Sequence, residues 1–178
     1  QLDCETSFMT QDEFFELMEP LFVELTQDLA GKKVKQKPFP RIPFKEVFER
    51  YGSDRPDLRY TLELADVTAW GNGSDFNIFK TASYVRALVV PKGAEFTRKE
   101  IDNEFTDVAT RAHAKGLAWM KFTENTWEGG IAKFFSNEAL NELQKMLHVA
   151  SGSIIFFAAD EWKISCEALG AVRSLVAK

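Results

Sequence analysis

The sequence predicts an α+β fold, a small mixed or antiparallel sheet with helices packed on one face, preceded by a helical segment. Two observations predict this class. Between residues 74 and 178, short apolar segments typical of strands alternate with amphipathic segments typical of helices. In residues 1–73, a long helical pattern is followed by polar connectors. Short strands interrupted by helices are typical of such a sheet.

The first 31 residues predict the end of a strand and then a helix. Residues 2–7 place apolar or small side chains on one side and mainly acidic ones on the other, as in a strand with an acidic face. Thr10 and Glu13 have capping-box spacing, and Gly31 ends the helix. Pro20 lies inside the pattern and predicts a kink. The apolar stripe of this helix consists of Phe14, Met18, Leu21, Phe22, Leu25 and Leu29.

Connectors follow this helix. Residues 32–37 are basic, and this pattern favours a solvated loop over a phosphate-binding patch. A short helix is predicted at about residues 44–51, and the charged segment at residues 52–59 predicts an ordered loop. Glycines and polar residues near position 73 predict a boundary, which gives domains 1–73 and 74–178.

The second domain carries clear start and stop signals. Thr97 and Glu100 form a second capping box, whose helix is predicted to end at Gly116, and Ser136 caps another helix. The last helix is predicted at about residues 163–177. Strands are predicted at residues 84–90, 117–122 and 153–158.

Composition excludes several classes. The chain has 178 residues, of which 45% are hydrophobic, so it can bury a core and is not a disordered chain. Its net charge of −5 restricts nucleic-acid binding to a local basic patch. Two cysteines and two histidines argue against a disulfide framework, a zinc site or a Ser-His-Asp hydrolase, so we expect no metal and no catalytic residue. No segment predicts a membrane span or a signal peptide, which favours the cytoplasm.

Several motifs resemble one family in the family's own order. QLDCETSFM at residues 1–9 resembles the second strand of class II motif 2 in bacterial aspartyl-tRNA synthetases. YGSDRPDLR at residues 51–59 is similar to the family's GSDKPDLR signature, with Arg55 in place of lysine. Five further motifs resemble the GAD insertion domain of these enzymes: VRALVVP at residues 85–91, AKGLAW at 114–119, IAKF at 131–134, IIFF at 154–157 and ALGAVR at 168–173.

The resemblance implies a ligase that activates L-aspartate with ATP and Mg²⁺ and transfers it to tRNA(Asp). It also implies a homodimeric parent enzyme and contact with an amidotransferase. The family's ATP-gripping arginines have no match here, so we expect this chain alone to be inactive and to hold no cofactor. The GAD domain is expected to position the tRNA acceptor end. The helix at residues 10–30 is expected to expose its apolar stripe.

The resemblance also indicates site residues. Asp3 matches the carboxylate that receives the substrate ammonium group, and Glu5 is a weaker candidate; the other interpretation is two solvent-facing strand residues. The loop at residues 52–59 is expected to brace the connection between core and insertion rather than to contact substrate. The basic residues within the GAD motifs either face the tRNA acceptor stem or are only solvated: Arg86, Lys115, Lys133 and Arg173.

Two alternatives remain beside the ligase. One is a GAD-type tRNA-binding module of a tRNA-dependent amidotransferase subunit, against which the motifs at residues 1–9 and 51–59 argue. The other is a free-standing interaction domain with the same fold.

Overall fold

The computed structural model describes residues 2–177, and the helix predicted near the start of the chain is present. Helix α1 spans Gln11–Glu24 and continues as a π-helical turn over Leu25–Leu29. The capping box is confirmed: the Thr10 N–H donates to Glu13 Oε2 at 2.7 Å, and the Glu13 N–H donates to Thr10 Oγ1 at 3.3 Å. No residue of α1 or of the π-helical turn is buried. The predicted exposure of the stripe is confirmed in part, because Phe22, Leu25 and Leu29 are exposed, whereas the other three stripe residues are half-buried.

The strand predicted at residues 2–7 is wrong. These residues are exposed and form neither helix nor strand. A strand is held by hydrogen bonds between its backbone and that of a neighbour. Among the described residues, the strands pair only with one another, so this segment has no neighbour to pair with.

A five-stranded antiparallel sheet forms the centre of the later part of the chain, which confirms the predicted α+β class. Its strands are β1 Leu64–Asp66, β2 Tyr84–Val90, β3 Ala118–Thr123, β4 Thr126–Glu128 and β5 Ser153–Asp160. They lie side by side in the order β1-β2-β5-β3-β4. Strand β5 is central: its Phe156 pairs with Leu88 of β2, and its Ile155 pairs with Met120 of β3.

Seven helices connect these strands or flank the sheet within residues 43–177. They are α2 Phe44–Tyr51, α3 Thr68–Asn72, α4 Asn77–Lys80, α5 Arg98–Glu100, α6 Thr106–Arg111, α7 Asn137–Leu147 and α8 Trp162–Val176. A π-helical turn at Ile101–Phe105 joins α5 to α6. Turns of 3-10 helix lie at Gly93–Glu95 and Ala132–Phe134.

The predicted starts of two of these helices are confirmed, whereas one predicted end is wrong. Thr97 and Glu100 form the capping box of α5, and the Ser136 side chain accepts from the Ala139 N–H at the start of α7. The helix predicted to end at Gly116 ends at Arg111. Two residues after this helix end, His113 rather than a glycine adopts the left-handed conformation, with φ of 69°.

Helices cover both faces of the sheet, so the prediction that they pack on one face is wrong. Alternate strand residues point to opposite faces. Val85 and Phe157 pack in a cluster with residues of α3, α4 and α7, whereas Leu88 and Phe156 pack in a cluster with residues of α6 and α8. The physical reason is visible in β5, where residues 154–158 are all apolar and all buried. A strand of continuous apolar residues needs cover on both of its faces.

Packing divides the chain into two compact units, Gln1–Ile42 and Pro43–Lys178. The predicted division at residues 73 and 74 falls between α3 and α4 of the second unit. Trp70 of α3 and Phe79 of α4 share one core cluster, so that division does not separate two compact units. No helix among residues 2–177 has the length and apolar character needed to cross a membrane.

Two glycines allow α2 to lie directly on α8. Gly52 follows α2 with φ of 68°, a left-handed conformation that side chains disfavour. A Cβ atom at Gly52 would overlap the Cys166 carbonyl oxygen, and one at Gly170 would overlap the Gly52 carbonyl oxygen. Because backbone meets backbone here, neither position has room for a methyl group.

We expect Gly170→Ala to destabilise the second unit by about 2 kcal/mol or more, although alanine is the better helix former. The added methyl group forces α8 away from Gly52. Urea unfolding followed by tryptophan fluorescence measures this effect, because all four tryptophans lie in the second unit. Gly116→Ala is the matched control, since no atom lies within 4 Å of its added Cβ. Equal stability of the two variants would contradict the close-packing argument.

Candidate nucleic-acid interface

Arg86 of β2 is buried and paired inside the second unit. Arg86 is only 4% exposed. Its Nη2 donates to Glu49 Oε1 at 3.4 Å and lies 3.6 Å from Asp66 Oδ2. The indole Nε1 of Trp162 donates to the same Glu49 oxygen at 3.1 Å. Arg86 therefore links the sheet to α2. This burial argues against contact with tRNA.

Arg173 of α8 is 2% exposed and holds the segment that follows α2. Its Nε donates to the Leu62 carbonyl at 2.6 Å, and its Nη2 donates to the Asp57 carbonyl at 2.7 Å. Nη1 donates to the Tyr60 hydroxyl at 3.3 Å. The guanidinium carbon also lies 4.9 Å from the ring centre of Tyr51 and 4.2 Å from that of Tyr60. We call this arrangement the Arg173 clamp. It gives Arg173 a structural role and argues against direct contact with tRNA, while its predicted place near tRNA stays a prediction.

The loop at residues 52–59 is attached to α8 of the same unit, and its predicted role in bracing the connection between core and insertion stays a prediction. One charge pair forms within the loop: the Arg59 guanidinium donates to the Asp57 carboxylate and lowers the pKa of Asp57 to about 2. The loop backbone also serves as an acceptor, because the Asp57 carbonyl binds Arg173. Just beyond the loop, Glu63 accepts two hydrogen bonds from Arg50 of α2.

Lys115 and Lys133 are the two predicted residues with exposed side chains. The Lys115 side chain is 88% exposed, and its Nζ lies 3.9 Å from Asp160 Oδ1. Lys133 lies beside the Phe134 ring and lines an open cavity of about 520 Å³. Their neighbours Ala114 and Ala132 pack in different core clusters on opposite faces of the sheet. The four predicted basic residues thus do not form one surface, and contact of these two lysines with tRNA stays a prediction.

Asp3 and Glu5 lie in the exposed segment before α1. Because no strand forms there, the structure does not fix their carboxylates on one strand face. Their predicted part in binding the substrate ammonium group stays a prediction. Among residues 2–177, no cluster of three or more His, Cys, Asp or Glu side chains is suited to hold a metal ion.

Cys166 of α8 is fully buried, whereas Cys4 is exposed. Burial raises the pKa of the Cys166 thiol to about 11, because the thiolate would lose its solvation. A thiol with this pKa stays protonated at neutral pH and is a poor nucleophile. Cys166 is therefore part of the core and not a catalytic group.

Sequence reasoning missed the partners of the buried arginines. Glu49, Tyr51 and Tyr60 lie more than 30 residues from Arg86 or Arg173 in the chain, so no local spacing connects them. One signal was available. Arg173 follows Leu169 by four residues, which places it on the apolar stripe of α8. An arginine on such a stripe needs buried partners, because a buried charge without them is costly.

Comparison with known proteins supplies the family context of this geometry. A model of the GAD domain family matches residues 77–169. The chain is 44% identical over 179 residues to the aspartate–tRNA ligase of Streptomyces avermitilis, covering 100% of this chain and 30% of the relative. It is 41% identical over 181 residues to the aspartate–tRNA(Asp/Asn) ligase of Natranaerobius thermophilus, covering 99% of this chain and 31% of the relative. The chain thus spans about three-tenths of the length of these relatives.

We expect Arg173→Ala to destabilise the second unit by about 3 kcal/mol, because it removes a buried side chain and leaves the partly buried carbonyls of Leu62 and Asp57 without this donor. Arg173→Lys keeps the charge but not the fork of donors, and is expected to recover only part of this loss. Urea unfolding followed by tryptophan fluorescence measures both variants. The control is Arg98→Ala, whose side chain is 85% exposed. A change in the Arg173 variants no larger than in the control would contradict the clamp.

We expect one of the two thiols to react quickly with a thiol reagent at about pH 8 in the native chain. Cys4 is exposed, whereas the Cys166 thiol is buried and its raised pKa leaves it protonated. Both thiols should react once the chain is unfolded in urea. A Cys4→Ser variant should show no fast thiol in the native state. Rapid reaction of two thiols in the native chain would disprove the burial of Cys166.

Proposed function

Because this chain belongs to the GAD domain family, we propose that it is part of an aspartate–tRNA ligase. The observation that carries the proposal is the extent of the similarity, which covers 97–100% of the chain at 37–44% identity in three relatives: one is named aspartate–tRNA ligase and two are named aspartate–tRNA(Asp/Asn) ligase. The whole enzyme would join L-aspartate to tRNA in two steps. Aspartate attacks the α-phosphate of ATP to give aspartyl-adenylate and pyrophosphate, and the aspartyl group then passes to a hydroxyl of the 3′-terminal ribose of tRNA(Asp), with release of AMP.

In this reaction ATP would enter with Mg²⁺, whose charge offsets that of the phosphates. We propose that Asp3 receives the ammonium group of aspartate, with Glu5 as the weaker candidate. A carboxylate forms a charge-assisted hydrogen bond with an amine, and both residues are exposed. We propose that the family's motif arginines have no match in these residues and that this chain alone does not activate aspartate.

The second compact unit is proposed to act by position rather than by chemistry. Its buried arginines are used to hold its own elements together. Its exposed candidates Lys115 and Lys133 lie next to core clusters on opposite faces of the sheet, so they cannot form one strong basic surface. The chain also carries a net charge of −5. These features support a unit that lies beside the tRNA acceptor end and binds it weakly.

The amidotransferase module is the second candidate, and the comparisons favour the ligase over it. The similarity to ligases extends over the residues before position 77, where the GAD match begins. Those residues include both motifs assigned to the synthetase core, at residues 1–9 and 51–59. A free-standing interaction domain would not need either motif.

We expect the chain to bind tRNA(Asp) more weakly than micromolar at physiological salt and to show no aspartate-dependent exchange of pyrophosphate into ATP. Fluorescence polarisation and an exchange assay measure these two properties. A full-length relative should be assayed with and without its equivalent of residues 77–169. We expect the deletion to lower the turnover of aminoacylation more than the affinity for tRNA. Unchanged aminoacylation after the deletion would refute the positional role.

A further inference from the structure

Residues 32–37 concentrate positive charge within an acidic chain. This connector holds four lysines and no acidic residue: Lys32, Lys33, Lys35 and Lys37. Because the whole chain carries −5 and the connector contributes +4, the other 172 residues together carry −9. Such a contrast is typical of a site for a polyanion, since binding of phosphates needs clustered positive charge.

The connector is folded back along the helix that precedes it. At its start, the Lys32 N–H donates to the Thr26 carbonyl at 3.0 Å. Just after its end, the Phe39 N–H donates to Glu19 Oε1 at 2.9 Å. Both ends are therefore fixed within the first compact unit. A loop held in this way loses less conformational entropy when it binds a ligand than a free chain does.

The four lysines of this anchored loop are exposed to solvent. Within residues 2–177 none of their ammonium groups forms an ion pair with a carboxylate. Lys37 donates to the neutral amide oxygen of Gln27 at 3.0 Å, which leaves its charge uncompensated. The nearby Arg41 differs, because it pairs with Asp12. The four ammonium groups are thus available to an external anion.

We propose that the connector binds the phosphate backbone of RNA, which in the proposed ligase is that of tRNA. This inference rests on the proposed function and adds a contact surface outside the GAD match at residues 77–169. We favour RNA over a lipid surface because tRNA is the polyanion on which the proposed ligase acts. Within residues 32–37 the one apolar residue is Val34, which is half-buried, but the adjoining helix exposes Phe22, Leu25 and Leu29. The test therefore includes lipid vesicles. The contacts are to phosphates and therefore independent of RNA sequence.

Replacing the four connector lysines by glutamine tests the proposal in the full chain. The matched control replaces four exposed lysines that are scattered over the second unit, and it makes the same change in net charge: Lys80→Gln, Lys99→Gln, Lys145→Gln and Lys163→Gln. A third variant, with arginine at the four connector positions, keeps the charge. Binding of tRNA(Asp) and of poly(U) is measured by fluorescence polarisation from about 50 to about 200 mM salt.

We expect the plot of the logarithm of the RNA association constant against the logarithm of the salt concentration to become shallower by about 3 in the connector variant. This value follows from the loss of four phosphate contacts at about 0.7 each. Over the same salt range, the wild-type affinity then falls about 50-fold more than that of the variant. The scattered control and the arginine variant should keep the wild-type slope. Circular dichroism checks that α1 is retained in every variant.

Three results would overturn the inference. The first is a connector variant with the same slope as the scattered control; if the wild-type chain still binds tRNA(Asp), the proposed function stands and the contact lies elsewhere. The second is a wild-type chain that binds neither RNA at about 50 mM salt. The third is preferential binding to phosphatidylserine vesicles at equal phosphate concentration. Connector-dependent binding of poly(U) and tRNA without preference for tRNA(Asp) would support the inference while counting against the proposed function.

Discussion

The Arg173 clamp is the interaction on which the second unit depends. One guanidinium group on α8 binds the Asp57 and Leu62 carbonyls and contacts the rings of Tyr51 and Tyr60. These carbonyls belong to a segment with no helix or strand, so they have no partners from regular secondary structure. A buried carbonyl without a donor costs free energy, and the clamp supplies the donors from a side chain. The irregular segment is thereby held against α8.

The clamp works because α2 lies close to α8. Gly52 and Gly170 allow the two backbones to meet, and this approach places the Tyr51 ring against the Arg173 guanidinium. Arg86 of strand β2 binds Glu49 of α2. Two buried arginines and two glycines therefore attach α2 and the segment after it to β2 and α8. This explains why the compact unit begins at Pro43, well before the GAD match at residue 77.

Much of this fold is predictable from local signals, and the errors have identifiable causes. The capping boxes at Thr10 and Thr97 and the long strands β2 and β5 follow from spacing and apolar character. Strands β1 and β4 were missed, since three residues are too short to show a period. The number of covered faces was also misjudged, although the continuous apolar run in β5 indicates cover on both. Glycine is not required at a helix end, as His113 shows.

The candidate site was less predictable than the fold. Four basic residues in family-like motifs were treated as equivalent, yet the structure buries Arg86 and Arg173 and exposes Lys115 and Lys133. Burial of a charged residue depends on partners that are distant in the chain, as Tyr60 is from Arg173. Sequence spacing does not report such partners. The basic connector was interpreted as a solvated loop because its anchoring to α1 through Glu19 is likewise nonlocal.

The clamp also has a consequence for how the chain reaches its native state. Its donor and acceptors are separated by 111–116 residues, and the closure of α2 on α8 spans a similar distance. Contacts of such long range raise the contact order and slow folding, since the intervening chain must be ordered first. During synthesis, α2 and the charged loop emerge early but find their anchor only when α8 leaves the ribosome. The second unit is therefore completed by its last helix.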